Sequence, residues 1–367
     1  MKILICFGTR PEAIKMAPVI RELKKEKLSF KICVTAQHRE MLDQVLDFFN
    51  IQPDYDLSLM KPDQSLNSLS SGILRDIDKI LNKEEPELVL VHGDTTTSVM
   101  VALAAFHRKI KIAHIEAGLR TFKSNSPFPE EINRQITARL ASINFAPTLQ
   151  ARENLLLENI SSQKIFVTGN TIVDALNEGA NRLLSFDQEN LLLQAGLDGE
   201  ISSKYILVTG HRRENFGPDF EDFCEALLKI STSLKIDIIY PVHLNPKVQG
   251  PVNRILRNKK GINLIPPVNY PTMLWLIKNC EFVISDSGGI QEEAPSLGKI
   301  VLVTRKVSER MEAVEAGTSI LVGTDPSIIF NEAKKLLSEN NVPNSINNPF
   351  GDGMAAKRIV EILLNQI

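Results

Sequence analysis

Residues 281–295 read Glu-Phe-Val-Ile-Ser-Asp-Ser-Gly-Gly-Ile-Gln-Glu-Glu-Ala-Pro, an apolar run followed by a Ser-Gly-Gly turn and a helical pattern. This order predicts a strand that turns sharply into a helix, the repeating unit of a parallel sheet. A helix start leaves backbone N–H groups unpaired, and Gly288 and Gly289 let a ligand approach the backbone closely. The turn therefore suits a phosphate group. Glu292 or Glu293, one turn into the helix, can accept hydrogen bonds from sugar hydroxyls, so the stretch predicts a nucleotide site.

The same alternation of short β-branched runs and helical patterns continues along the whole chain. The predicted strands are 2–7, 30–35, 87–92, 110–115, 142–146, 164–168, 205–209, 235–240, 262–265, 281–285, 300–303 and 318–322. The helices placed between them include 12–25, 38–49, 95–107, 130–141, 219–234, 271–279, 289–297 and 326–338. This rhythm is typical of parallel sheets that are covered by helices on both faces, so we expect an α/β fold.

Two doubly wound domains in tandem are the simplest interpretation of 367 residues arranged in this way. The predicted domains are 1–169 and 170–352, joined near 168–170, and the helical stretch 353–367 is expected to pack back on the first domain. Residues 186–204 show no strand pattern and are expected to form a surface excursion. In such sheets ligands bind outside the carboxyl ends of the strands, and we expect those ends to face each other across a cleft.

Composition excludes several classes of function. A formal net charge of −2 argues against nucleic acid as the main partner, since phosphate-backbone binding needs a basic surface. The four cysteines are scattered without metal-ligand spacing, so we expect buried free thiols and no metal site. The N-terminal apolar run is too short for a signal peptide, and no apolar stretch reaches the ~20 residues of a membrane span. A soluble, cytoplasmic protein is predicted.

Candidate ligand-binding residues follow the predicted strands of the first domain. Arg10 and Lys15 come after the first strand, where Arg10 can clamp a phosphate in bidentate fashion, although a surface ion pair is the alternative. Asp94 follows the third strand, and it or Thr95 can serve only as a helix N-cap. Glu116 directly follows a strand too apolar to be an exposed edge.

A third acidic position opens the helix at 130–141. Glu130 and Glu131 both lie in its first turn, where a carboxylate complements the helix dipole in any case, so one of the two can have that role alone. Asp94, Glu116 and Glu130 are together candidates for one face of the same site. Clustered carboxylates push some pKa values upward, which prepares a general acid or base near neutral pH.

The second domain offers cationic and imidazole groups at its strand ends. His211, Arg212 and Arg213 follow the strand 205–209 and can clamp a diphosphate, and His243 follows the next strand. Arg310 can reach the same site or pair with its acidic neighbours. Neither a P-loop nor a Gly-x-Gly-x-x-Gly dinucleotide pattern occurs in the chain.

Nine segments, in order, resemble the bacterial non-hydrolysing UDP-N-acetylglucosamine 2-epimerases. They are GTRPEAIKMAP (8–18), TAQHREMLDQVL (35–46), VHGDTTT (91–97), HIEAGLRT (114–121), PFPEEINR (127–134), TGNTIVDAL (168–176), VTGHRREN (208–215), YPVHLNP (240–246) and SDSGGIQEEAPSLGK (285–299). The resemblance covers essentially the whole chain. It implies two Rossmann-like domains that face a cleft, the GT-B-like architecture of many glycosyltransferases, and it implies a homodimer.

The resemblance also implies roles for individual residues. UDP would be held by Arg10, His211, His243, Ser287, Gly288, Gly289 and Glu293, with Lys15 and Arg310 nearby. Asp94, Glu116, Glu130 and His211 would surround the reacting sugar. Val268 stands where the family frequently has Gln, and Met273 where an aromatic side chain packs near the uracil.

The expected reaction is the reversible conversion of UDP-GlcNAc into UDP-ManNAc, a precursor of surface polysaccharides. Because C2 of the sugar has no adjacent carbonyl, its proton is not acidic enough for simple removal and return. Transient oxidation would need a nicotinamide cofactor, which the missing dinucleotide pattern disfavours, so no cofactor is expected. Elimination of UDP to 2-acetamidoglucal and its re-addition needs a diphosphate clamp and at least two acid/base groups. The sequence leaves open which carboxylate is the acid and which is the base.

Three other functions compete with this interpretation. A hydrolysing 2-epimerase would release ManNAc and UDP, a glycosyltransferase would pass the sugar to an acceptor, and a sensor would bind without turnover. The resemblance further implies activation by UDP-GlcNAc at a second site. Its candidate residues are Gln37, His38, Arg39, Glu40 and Arg212.

Overall fold

The computed structural model describes residues 2–35, 39–60, 64–197, 204–210, 212, 216–306, 310–338 and 348–366, without the side chains of Arg39 and Glu40. Contacts between Cα atoms divide the chain into two compact units. The first comprises Met1–Ala175 and Phe350–Ile367, and the second comprises Leu176–Pro349. The division falls a few residues beyond the predicted join at 168–170, and the domain boundary stays a prediction.

The described part of the first unit contains a seven-stranded parallel sheet in the order β3-β2-β1-β4-β5-β6-β7. Its strands are β1 (Lys2–Phe7), β2 (Ser29–Val34), β3 (Tyr55–Asp56), β4 (Leu88–His92), β5 (Lys111–Ile115), β6 (Ile143–Ala146) and β7 (Ile165–Val167). Its helices are α1 (Arg10–Lys25), α2 (Arg39–Phe49), α3 (Leu66–Glu84), α4 (Thr96–His107), α5 (Glu130–Leu140), α6 (Leu149–Leu157) and α7 (Thr171–Arg182), the last of which crosses the division. All five residues of β4 are buried, as a strand covered on both faces requires.

The start of α1 is fixed by local sequence. Thr9 caps the helix and accepts a hydrogen bond from the Glu12 backbone N–H, while the Glu12 side chain accepts one from the Thr9 backbone N–H. This reciprocal pair is a capping box, and Pro11 adds a preset backbone angle to the first turn. Arg10 is therefore held at the corner between β1 and α1.

The C-terminal helix belongs to the first unit. This helix, α15 (Ala355–Gln366), packs on α1. The buried Asp174 carboxylate accepts hydrogen bonds from the backbone N–H groups of Ala355 and Ala356, at 3.2 and 2.9 Å. A carboxylate at a helix start satisfies unpaired donors and complements the helix dipole, so α7 anchors α15.

The described part of the second unit contains a six-stranded parallel sheet in the order β10-β9-β8-β11-β12-β13. Its strands are β8 (Tyr205–Thr209), β9 (Asp237–Pro241), β10 (Ile262–Ile265), β11 (Val283–Ser285), β12 (Val301–Val303) and β13 (Ser319–Leu321). Its helices are α8 (Gln188–Gln194), α9 (Pro218–Leu234), α10 (Pro246–Leu256), α11 (Tyr270–Asn279), α12 (Gly288–Ser296), α13 (Met311–Glu315) and α14 (Pro326–Ser338). Helices flank each parallel sheet, so the predicted α/β class is confirmed.

One segment differs from its predicted form. The stretch 186–204 was expected to be a surface excursion, but its described part includes α8, which packs on α11. Leu191, Ala195 and Leu197 are buried there, and the last two belong to the second unit's core. Leu192 and Leu197 therefore pack in the core of the second unit, whereas Leu193 is exposed.

Among the described helices, none is both long and apolar enough to cross a membrane. The predicted cytoplasmic location stays a prediction.

Candidate functional site

Each sheet has one place where the chain reverses the direction in which it adds strands. In the first unit β1 lies between β2 and β4, and in the second β8 lies between β9 and β11. Ligands of doubly wound folds bind beyond the carboxyl ends of the strands at such a switch point. Arg10 and Asp94 follow the first pair, β1 and β4, while Arg212 and Ser287 follow the second pair, β8 and β11. The candidate residues therefore lie where the topology favours a site.

A buried carboxylate at the end of β5 contacts two basic groups. Lys15 Nζ lies 2.5 Å from Glu116 Oε2, and His92 Nε2 lies 3.1 Å from the same oxygen. Glu116 has a φ of +62°, a left-handed conformation that is uncommon for residues other than glycine. Because this conformation turns the chain sharply after the strand, the structure has placed the carboxylate at a strained position of the kind found at functional sites.

The surroundings of Glu116 fix its charge. Burial alone would raise the pKa of this carboxyl, but Lys15 and His92 attract its negative form more strongly. Their charges and hydrogen bonds hold the pKa of Glu116 well below its usual range. Glu116 is thus an ionised carboxylate at neutral pH despite its burial.

A second carboxylate, Asp94, is held from α5. Arg134 Nη2 donates a hydrogen bond to Asp94 Oδ2 at 2.5 Å, and Asn133 Nδ2 donates one to the Asp94 backbone carbonyl at 3.0 Å. The N-cap role considered for this position belongs to Thr95, whose hydroxyl accepts from the Ser98 N–H. The Asp94 side chain is therefore fixed by an ion pair, with about a quarter of its surface exposed (27%).

The backbone beside Asp94 is held by His114 of β5. His114 Nε2 lies 2.7 Å from the Gly93 carbonyl oxygen, and the imidazole is fully buried. Burial lowers the pKa of His114 to about 3, although the contact with Gly93 opposes this shift. The neutral ring must therefore carry its proton on Nε2, because only that nitrogen faces the carbonyl acceptor.

The two acidic residues at the start of α5 have different surroundings. Glu131 is fully buried and accepts hydrogen bonds from the backbone N–H groups of Thr121 and Phe122, at 3.0 and 3.1 Å. Within the described part of the chain, Glu130 Oε2 is buried without a hydrogen-bond partner. Glu130 also precedes Asn133 and Arg134 by three and four positions, so it shares a helix face with the residues that hold Asp94. Glu131 is structural, and Glu130 is the candidate for chemistry.

In the second unit, the Ser-Gly-Gly turn carries an arginine against its backbone. Arg310 Nε donates to Glu292 Oε1 at 2.9 Å, and Glu292 is buried. A Cβ built on Gly288 would lie 2.7 Å from Arg310 Nη1, so only glycine admits the guanidinium at this distance. The turn therefore places the α12 N-terminus beside a guanidinium that Glu292 holds in position, an arrangement that suits an anion site.

The other predicted ligand residues of the second unit differ in burial and in contacts. Glu293 is half-buried, and its Oε1 would lie 3.6 Å from a Cβ on Gly289. His243 is exposed and its Nδ1 accepts from the Asn245 N–H at 3.1 Å. Val268 and Met273 are partly buried against the core.

The proposed activator residues are only partly described. The Arg212 backbone N–H donates to Asp286 Oδ2 at 2.8 Å. His211, Gln37 and His38 lie outside the described residues, as do the side chains of Arg39 and Glu40. No group of three or more His, Cys, Asp and Glu side chains in the described ranges is arranged to hold a metal ion.

Several residues of the site were not predicted from the sequence. Arg134, His92 and His114 had no role assigned from the sequence. Glu292 had a signal, since it and Glu293 were both considered as sugar contacts, and the structure pairs Glu292 with Arg310. Arg134 had the weaker signal of a position one turn after Glu130.

The chemical capacities of the two units are therefore distinct. The first presents carboxylates in three different electrostatic settings, with Arg10 half-buried at the start of α1. The second presents a helix N-terminus and a positioned guanidinium. Proton transfer suits the first set, and binding of a phosphorylated leaving group suits the second.

Comparisons with known proteins agree in sequence and in structure. The sequence model described as "UDP-N-acetylglucosamine 2-epimerase" matches residues 21–364. The Escherichia coli K12 protein named UDP-N-acetylglucosamine 2-epimerase is 51% identical over 371 residues, covering 100% of this chain and 99% of that protein. The crystal structure of UDP-GlcNAc 2-epimerase from Neisseria meningitidis bound to UDP-GlcNAc is 46% identical, with a TM-score of 0.91 and full coverage of both chains (100%). The S. aureus MnaA–UDP co-structure is 42% identical, with a TM-score of 0.85, and covers 100% of this chain and 97% of that one.

Proposed function

The chain belongs to the UDP-N-acetylglucosamine 2-epimerase family, and from this premise we propose that it converts UDP-GlcNAc reversibly into UDP-ManNAc without net hydrolysis. The proposed intermediate is 2-acetamidoglucal, with UDP retained until it adds back. The product is a precursor for surface polysaccharide synthesis.

The proposed reaction consists of an elimination and a re-addition. A base takes the C2 proton, the electrons of the C2–H bond form the C1–C2 double bond, and the C1–O bond breaks so that UDP leaves with its electron pair. UDP then adds back to C1 while a proton is delivered to the opposite face of C2. The scheme needs two acid/base groups and a stabilised leaving diphosphate, but no oxidant.

The observation that carries the proposal is the unequal setting of the three carboxylates. Asp94 has Arg134 and Glu116 has Lys15, whereas Glu130 has no salt-bridge partner among the described residues. Since no cation in the described part of the chain engages the carboxylate of Glu130, whereas cations hold those of Asp94 and Glu116, we assign Glu130 one of the two acid/base roles. Asp94, Glu116 and His211 are the candidates for the other.

The second unit supplies the proposed grip on UDP. The backbone N–H groups of Gly288 and Gly289, the Ser287 hydroxyl and the Arg310 guanidinium would stabilise the charge that develops on the departing diphosphate. Glu293 would accept from the ribose hydroxyls, and Val268 and Met273 would lie beside the uracil. Arg10, Lys15 and His243 complete the proposed UDP contacts.

The deciding experiment incubates the protein with UDP-GlcNAc alone in deuterated water and follows the products by NMR. Intact UDP-ManNAc carrying deuterium at C2 supports the proposal. Free ManNAc with stoichiometric UDP would identify a hydrolysing 2-epimerase, and the absence of C2 exchange would refute both. Asp94→Asn and Glu116→Gln are each expected to cut turnover by ~10²-fold or more if the residue transfers a proton.

The proposal includes a homodimer, supported by apolar side chains exposed at α5 and just before it. Phe122 and Phe128 are 59% and 66% exposed, and Ile132 and Ile136 are also exposed. Contiguous apolar surface of this kind marks interaction sites, and a second copy of the chain would cover it. Sedimentation equilibrium tests this directly, and Ile136→Glu is expected to shift the protein toward monomer.

Activation by UDP-GlcNAc is the last part of the proposal, with Gln37, His38, Glu40 and Arg212 as its residues. If the activator is required, UDP-ManNAc alone is not converted, and a trace of UDP-GlcNAc starts the reverse reaction. Immediate conversion of purified UDP-ManNAc in the absence of UDP-GlcNAc would refute the proposed activation.

A further inference from the structure

Glu12 connects the two loops that carry Arg10 and Asp94. Its carboxylate is buried, with 3% of the residue exposed. One oxygen, Oε2, accepts from the Gly8 N–H at 3.0 Å and from the Thr9 N–H and hydroxyl at 2.8 Å each. These donors all belong to the loop between β1 and α1.

The other oxygen of Glu12 contacts the loop between β4 and α4 and the first turn of α4. Oε1 accepts from the Thr95 hydroxyl at 2.8 Å and lies 3.1 Å from the Ser98 hydroxyl. Ser98 has one hydroxyl proton and also contacts the His92 carbonyl, so it donates to one of these acceptors at a time. Thr95 immediately follows Asp94, and β1 and β4 are paired neighbours, so a single carboxylate spans the switch point.

The capping-box role of Glu12 explains only the contacts of Oε2. A capping box needs one hydrogen bond from the N-cap N–H to the N3 side chain, and Oε2 of Glu12 accepts it. The contacts of Oε1 lie 83 and 86 positions further along the chain and add nothing to the cap of α1. A buried carboxylate that accepts several charge-assisted hydrogen bonds is held in one geometry and holds its donors likewise.

We propose that Glu12 is a positioning residue that fixes the Arg10 loop relative to the Asp94 loop. The inference rests on the proposed function for the meaning of this geometry, because Arg10 is the phosphate contact and Asp94 a catalytic candidate. Glu12 touches neither the substrate nor the reacting atoms in this role. Its effect is to keep the two loops in register for the chemical step.

The first test compares the kinetics of Glu12→Gln with Glu22→Gln. Glu22 lies on the same helix, but among the described residues it pairs only with the exposed Arg21 and Lys25, so its variant is the matched control. In Glu12→Gln one of the two carboxylate oxygens is replaced by an NH2 group. That group donates hydrogen bonds and therefore faces N–H or hydroxyl donors that have lost their acceptor. Misplacement of a loop by ~1 Å costs on the order of 10²-fold in rate, so kcat should fall by that order while KM changes far less. A kcat close to that of Glu22→Gln would overturn the proposal.

The second test uses Thr95→Val, which removes the hydroxyl donor at nearly constant volume. Thr95→Val also removes the N-cap of α4, so if both residues act through one contact, the double variant with Glu12→Gln loses less rate than the product of the two single losses. Multiplicative losses would show independent roles and overturn the connection. Thr95→Ser keeps the hydroxyl and is expected to lose less than Thr95→Val.

A readout independent of turnover separates this inference from the proposed function. Hydrogen–deuterium exchange should rise in Glu12→Gln at both 8–10 and 93–98 and remain at the wild-type level in α5 and α6. Increased exchange in one loop only, or throughout the first unit, overturns the inference. If wild-type protein fails to epimerise UDP-GlcNAc, the proposed function fails alone, and the exchange result still decides the role of Glu12.

Discussion

Lys15 Nζ and Glu116 Oε2 lie 2.5 Å apart, although 101 positions separate the two residues in the chain. Both side chains are about nine-tenths buried, with exposed fractions of 11% and 9%. Two strands of one parallel sheet deliver them: Lys15 stands in the helix after β1, and Glu116 follows β5. The pair therefore couples the protonation of a candidate catalytic carboxylate to Lys15, while His92 is the second basic group in contact with the same oxygen.

Replacing Lys15 with Met should destabilise the protein by about 3–5 kcal/mol at neutral pH, since it leaves a buried carboxylate without its cation. In the wild type the pKa of Glu116 lies below its ordinary value of 4.5, so its stabilisation is present above that pH and is lost as the pH falls further. Without Lys15 only His92 opposes the effect of burial, so the pKa of Glu116 rises and acid relieves part of the cost of burying its charge.

Urea unfolding of both proteins at pH 7.5 and pH 5 measures this effect. The difference in the free energy of unfolding between the wild type and Lys15→Met should be smaller at pH 5 than at pH 7.5. Lys25→Met is the control, because it breaks the exposed pair with Glu22 and should cost less than about 1 kcal/mol at either pH. An equal loss for Lys15→Met at both pH values would contradict the coupling.

Glu130 and Glu131 form a natural pair of test positions because they are adjacent and chemically identical. Glu130→Gln should cut kcat by ~10²-fold or more with little change in melting temperature, since its Oε2 makes no hydrogen bond in the described chain. Glu131→Gln should lower the melting temperature, because the Thr121 and Phe122 N–H groups lose a charged acceptor. Thermal unfolding and initial rates on UDP-GlcNAc measure the two effects. The reverse pattern would exchange the roles assigned to the two residues.

The sequence predicted most of the fold because apolar runs mark strands that are buried on both faces. β4 and β8 illustrate this, and every predicted strand has a counterpart in the structure. β3 was missed, since it consists of two residues that pair only with the end of β2 at the sheet edge. The packing of α8 was also missed, because its leucines are specified by contact with α11 rather than by a local pattern.

The sequence indicated the position of the candidate site, which stays a prediction, but not the ion pairs and hydrogen bonds within it. Strand ends indicated Lys15, Asp94 and Glu116, because the end of a parallel strand is a general ligand position. The pattern of apolar and polar residues does not indicate the left-handed backbone at Glu116 or the contact between Glu116 and His92. Likewise, nothing local distinguishes Glu130 from Glu131, since the difference lies in which loop approaches each carboxylate.

Gly288→Ala should weaken UDP binding by about 10-fold or more, through loss of charge-assisted hydrogen bonds from a displaced Arg310. The added Cβ would lie 2.7–2.8 Å from the guanidinium, so the side chain must shift. Gly250→Ala in α10 is the control, because its Cβ meets nothing within 4 Å. Isothermal titration with UDP measures both variants. An unchanged affinity for Gly288→Ala would show that the contact with Gly288 does not orient Arg310 for the nucleotide.

His114 should make the folded protein sensitive to acid well above its own pKa. The folded-state pKa of about 3 lies below the ordinary value of 6.5, so the unfolded chain takes up the proton first as the pH falls. The stability linked to His114 is therefore complete above about pH 6.5 and declines by about 1.4 kcal/mol per pH unit between pH 6.5 and pH 3.

His114→Gln keeps a donor for the Gly93 carbonyl but cannot titrate. Between pH 7.5 and pH 5 the wild type should lose about 2 kcal/mol more than this variant in urea unfolding. The exposed His107→Gln is the control and should retain the wild-type loss. If His114→Gln were as acid-sensitive as the wild type, the buried imidazole would not be the group that takes up the proton on unfolding.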